Sequence, residues 1–71
     1  MSTPSVTHLS LRELRERADL TQQELAYASG INVLTISRAE LGKQKPRAAN
    51  LQRLADVLGV SLAELERAIA E

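Results

Sequence analysis

Arg38, Lys43, Lys45 and Arg47 lie close together in the chain, and Glu40 is the only carboxylate among them. Guanidinium and ammonium groups at this density suit the neutralisation of phosphates, the charge term that dominates binding to duplex DNA. A cationic loop that does no more than face solvent is the other reading of the same cluster. The flanks sharpen the contrast. Residues 1–31 set Arg12, Arg15 and Arg17 against Glu13, Glu16, Asp19 and Glu24, and residues 51–71 set Arg53 and Arg67 against Asp56, Glu64, Glu66 and Glu71. The formal net charge of +0 therefore hides a basic centre between two acidic arms.

Other chemistries find little to work with. His8 is the only histidine and there is no cysteine, so neither a thiolate metal site, a disulfide framework nor a Ser/His arrangement can be assembled. No metal and no cofactor are expected. The carboxylates fall mainly in helix caps and at solvent-facing positions, which points to a binding protein and not to an enzyme. Tyr27 is the only aromatic residue, too little for the stacking platform that single-stranded nucleic acid requires. No apolar run approaches the roughly 20 residues of a membrane span, and residues 1–8 lack the pattern of a secretion signal. A soluble, cytoplasmic protein without a membrane partner is expected.

The basic centre has to be positioned by short helices. Ser10-Leu11-Arg12-Glu13, Thr21-Gln22-Gln23-Glu24 and Ser61-Leu62-Ala63-Glu64 each place a hydroxyl three residues before a glutamate, the spacing of a capping box. Leu9 with Leu14, Leu20 with Leu25, and Val60 with Leu65 bracket these caps as hydrophobic staples. Asn32 is a fourth cap, stapled by Ile31 and Ile36. Gly30, Gly42 and Gly59 supply stops, and Pro46 delays the next helix. These signals predict helices over 11–18, 22–29, 33–41, 48–58 and 62–70. The fourth begins without a good cap, because Arg47 occupies the capping position. Apolar residues recur at helical spacing in these segments, as in Leu51, Leu54, Ala55 and Leu58, while period-two alternation is missing. The fold class is all-α, with a flexible tail over 1–8 and one domain over 9–71. A domain this short buries only about 60% of the surface of its unfolded chain.

Only Gly30-Ile31-Asn32 separates the second helix from the third, so the two must cross closely and steeply. Ala26 offers the small side chain for that crossing, Gly30 the turn, and Ile36 the inward contact. This is a helix-turn-helix. Together with Leu20-Thr21-Gln22-Gln23-Glu24-Leu25-Ala26, Gly30-Ile31, Thr35-Ile36-Ser37-Arg38, Glu40, Gly42-Lys43, Pro46, Leu51, and Leu54-Ala55 through Leu58-Gly59-Val60-Ser61, it resembles the lambda-repressor/Cro-like helix-turn-helix family. The resemblance runs from about Leu11 to Leu65. It implies a compact five-helix domain and a regulator, expected to be a repressor, that reads double-stranded DNA with helix 33–41 in the major groove.

The resemblance also distributes roles. Val33, Leu34, Ser37 and Arg38 are the expected base contacts, with Arg38 bonding in fork fashion to the O6 and N7 of guanine. Gln22, Gln23, Asn32, Thr35, Lys43, Lys45 and Arg47 are the expected contacts to the DNA backbone, where Gln22 at an exposed helix start meets a phosphate together with backbone donors. Either glutamine has the alternative of simple solvation. Val33 and Leu34 depart from the polar residues the family commonly carries there. They meet thymine methyls, a protein partner or the core. Glu40 is expected to turn inward and pair with Arg15, holding the recognition helix to the first helix.

The rival reading is a protein-interaction module on the same fold, an antitoxin or an anti-repressor partner, using Leu34 and Leu41. The family commonly acts as a two-fold dimer on half-sites about 34 Å apart, which implies a homodimer. Leu41, Val57, Leu62 and Ile69 are candidates for its surface, though each is also explicable as core. No small-molecule ligand is expected, and the resemblance points to a bacterial or phage-encoded protein.

Overall fold

The computed structural model describes residues 9–69, which form five helices and no strand. They are α1 (Leu11–Arg17), α2 (Gln22–Ser29), α3 (Val33–Glu40), α4 (Ala48–Leu58) and α5 (Leu62–Ile69). The expectations for residues 1–8 and for the end of the last helix at Ala70 lie outside the described residues.

The caps operate as their spacing predicts. The backbone N–H of Glu13 donates to Ser10 Oγ at 3.1 Å, and that of Ser10 donates back to Glu13 Oε1 at 2.8 Å. Thr21 and Glu24 repeat the exchange at 3.0 and 2.8 Å, and Ser61 and Glu64 at 3.0 and 3.1 Å. At α3, Asn32 Oδ1 accepts from the Leu34 N–H at 2.7 Å. Arg47 makes no side-chain cap bond, so α4 starts uncapped. Its inner face is what holds it, with Leu51, Leu54, Ala55 and Leu58 all buried.

Two helices are one residue shorter than their periodicity suggests. Ala18 and Leu41 act as caps beyond α1 and α3. After Ala18 the chain turns through Asp19, whose φ of 63° is left-handed. No glycine marks this stop; a short polar side chain tolerates the conformation instead. At the turn between α2 and α3, Gly30 adopts φ 73°, where any side chain would be strained.

Inside, α3 packs on α1 and α2, α4 on α2 and α5, and α5 on α1. Leu11, Leu14, Leu25, Ile31, Ile36, Ala39, Leu51, Leu54, Ala55, Leu58, Leu65 and Ala68 form one buried cluster. Val57, Leu62 and Ile69, candidates for a dimer surface, are half-buried and pack against that cluster. Leu41 is the exception, with 67% of its surface exposed. Ser29 is buried but satisfied: its hydroxyl donates to the Leu25 carbonyl at 2.7 Å and accepts from the Ile31 N–H at 3.3 Å, fastening the turn. Among the described residues no helix is long and apolar enough to cross a membrane.

Candidate nucleic-acid interface

Helix α3 divides its residues between the interior and solvent. Ile36 and Ala39 are buried and anchor its inner side. Leu34, Arg38 and Leu41 face solvent at i, i+4 and i+7, with Leu34 56% exposed, and Val33, Thr35 and Ser37 are half-buried beside them. Of the four expected base contacts, Leu34 and Arg38 are thus exposed and Val33 and Ser37 half-buried.

Directly after this helix the backbone N–H of Lys43 donates to the Arg38 carbonyl at 2.8 Å, and Gly42 adopts φ 76°. The turn ties the start of the basic loop to the last turn of α3. Lys43, Lys45 and Arg47 are exposed, while Pro46 between them is buried and pins the loop. None of these cations, nor Arg38, enters a salt bridge among the described residues.

On the inner side, Glu40 meets Arg15. Arg15 Nε donates to Glu40 Oε2 at 2.6 Å and Nη2 donates to Oε1 at 3.2 Å, a two-pronged pair with side chains only 11% and 5% exposed. The third guanidinium nitrogen, Nη1, donates to the Leu20 carbonyl at 2.8 Å. The hydrogen bonds that Arg15 donates to Glu40 push the pKa of the guanidinium above its ordinary value and outweigh the opposing effect of burial. The carboxylate that would repel phosphate is thereby turned away from the outer face and neutralised.

Gln22 is less exposed than the start of a helix suggests. It is half-buried, and its amide Nε2 donates to Glu40 Oε1 at 2.9 Å. Nothing in the sequence signals this bond, because a glutamine in the first turn of a helix reads as a solvated residue. Gln23 and Asn32 are exposed; the Asn32 oxygen is committed to its cap, leaving its amide N–H groups available.

An open cleft beside α3 brings Gln22, Gln23 and Val33 together with Arg15, Leu20 and Thr21. Glu16, Asp19 and Glu24 also line it. Two of these carboxylates are already engaged, Glu16 by Arg12 at 3.0 Å and Glu24 by the Thr21 N–H. Among the described residues no cluster of His, Cys, Asp or Glu could hold a metal ion.

This arrangement of an inward-pinned third helix after a tight glycine turn is matched at the level of sequence: the pattern of the helix-turn-helix family fits residues 11–65. The chain belongs to the lambda-repressor/Cro-like helix-turn-helix family. Three curated family members show the range of similarity. The cryptic phage CTXphi transcriptional repressor RstR of Vibrio cholerae is 38% identical over 55 residues, covering 78% of this chain and 50% of that protein. The HTH-type transcriptional regulator RghRB of Bacillus subtilis (strain 168) is 49% identical over 51 residues, covering 70% of this chain and 37% of that protein. The HTH-type transcriptional regulator YazB of the same strain is 40% identical over 55 residues, covering 78% and 80%. The helix-turn-helix chain thus spans half of the first relative, little more than a third of the second, and most of the third.

Proposed function

We propose that the chain is a sequence-specific duplex-DNA-binding regulator of transcription, a repressor, that reads the major groove with α3. The observation that carries this reading is the two-sided character of α3. Ile36, Ala39 and Glu40 fix it from within, Leu34 and Arg38 stand open without, and Lys43, Lys45 and Arg47 follow on an exposed loop. The names of the relatives, a phage repressor and two transcriptional regulators, support it.

In this reading Arg38 forks onto the O6 and N7 of guanine, a contact worth roughly 1–3 kcal/mol of discrimination. Leu34, with Val33 beside it, meets the methyl of a neighbouring thymine, and Ser37 reaches an adjacent base edge. Lys43, Lys45 and Arg47 neutralise phosphates; Gln23, Asn32, Thr35 and the N-terminus of α2 at Gln22 donate to further phosphate oxygens. The working unit is a two-fold homodimer on a pseudo-palindrome, in the cytoplasm.

A protein-docking role has one observation in its favour. Leu41 is exposed at the edge of an open groove of about 430 Å³ lined by Leu11, Ala39, Ala68 and Ile69, with Ser10, Glu13, Glu40 and Gly42. Selection from a random duplex pool decides between the two. A DNA reader enriches a half-site containing guanine beside thymine, and a docking module enriches nothing.

A further inference from the structure

Glu40 is the meeting point of three segments. Arg15 reaches it from α1, Gln22 reaches it from the first residue of α2, and its own backbone belongs to the last residue of α3. Arg15 at the same time holds the Leu20 carbonyl in the link between α1 and α2. Among the described residues the bond from Gln22 Nε2 to Glu40 Oε1 is the one side-chain hydrogen bond that joins α2 to α3.

From this geometry we infer that Gln22 is a positioning residue for the recognition helix, acting through Glu40, before it is a contact to DNA. The inference rests on the proposed reading of α3 as the DNA-reading helix. Elsewhere α2 and α3 meet through buried apolar side chains such as Leu25 and Ile36, whose burial is favourable without being directional. A hydrogen bond to a carboxylate has both a preferred distance and a preferred angle. Arg15 fixes the carboxylate by two prongs, and Gln22 then ties α2 to the same oxygen that accepts from Arg15 Nη2. The crossing of the two helices is therefore set at the C-terminal end of α3, opposite the turn at Gly30. Leu34 and Arg38 project between these two fixed points, so a roll of α3 moves both away from the base edges together.

A phosphate contact and a positioning role part company in their readout. A lost phosphate contact weakens all duplexes alike, whereas a misplaced reading helix weakens the specific duplex and spares the rest. The test uses Gln22→Met, which keeps the bulk of the side chain and removes its donor. Backbone residual dipolar couplings of the free protein, compared with wild type, should show α3 reoriented against α2. Affinity for the duplex enriched by the wild-type chain should fall by about tenfold, the factor appropriate to a charge-assisted hydrogen bond, with less than twofold loss on a scrambled duplex. Gln23→Met, at an exposed neighbour without this bond, should leave the couplings of α3 unchanged. Unchanged α3 couplings in Gln22→Met, with equal losses on both duplexes, would overturn the inference in favour of a plain phosphate contact. So would wild-type affinity on both. If the wild-type chain enriches no duplex, the DNA reading fails, while the couplings still test the link between α2 and α3.

Discussion

Arg38 and Glu40 stand two residues apart on one helix and face opposite fates, because rotation along a helix sends one to solvent and the other to the interior. Arg38→Ala should relax base preference at one or two positions of the enriched site, by roughly 1–3 kcal/mol, with little change in melting temperature; repeated selection from the random pool reads this directly. Glu40→Ala strands the Arg15 guanidinium in a nearly dry site, and a loss of about 3–5 kcal/mol is expected in chemical denaturation. Replacing both partners, Arg15→Met with Glu40→Met, should recover much of that loss, since no buried charge is then left alone. The pairing of Arg15 with Glu40 could be anticipated from the resemblance to the family. The share Gln22 takes in it could not, because it depends on where the far end of α3 comes to lie, a tertiary fact with no local signature.

At the scale of the element, the helix starts were the most legible part of the chain. A hydroxyl and a glutamate three residues apart satisfy each other's backbone donors wherever they occur, so the signal is local and survives into the fold. In the first of these boxes the backbone N–H of Ser10, with its side chain second, holds the Glu13 carboxyl below its ordinary value of 4.5. A carboxyl lowered in the folded state adds stability above its unfolded value and loses it as pH falls through the lower folded value. Wild type should therefore exceed Glu13→Gln in stability near neutral pH, and the difference should close on acidification below about 4.5, as followed by thermal melts across pH. The end of α1 was less legible, since an aspartate carries no clear stop signal and Asp19 turns out to take a glycine's conformation. Asp19→Val should cost about 1–2 kcal/mol by crowding a branched side chain at positive φ, whereas Asp19→Gly should not destabilise; urea denaturation of the two variants makes the comparison.

Taken whole, the described residues form one apolar cluster beneath the exposed stripe of α3 and its basic loop. A domain of this size is stable by only about 4–10 kcal/mol, so its core residues are committed to packing and its function must lie in what the core leaves outside. The all-α class and the five-helix order were readable because short helices with strong caps have few alternative arrangements. The side chains that α3 exposes were readable only as a helical stripe, and whether Leu41 stood open or joined the core depended on how closely α1 and α5 approach it. In the proposed reading, Lys43, Lys45 and Arg47 on the exposed loop after α3 meet the phosphates of a duplex. The most direct test is the affinity for the enriched duplex measured across a salt series. Each neutralised phosphate contributes a slope of about −0.9 in log affinity against log salt, so Lys43, Lys45 and Arg47 together predict a slope of about −2.7 or steeper. A slope near zero would contradict the account.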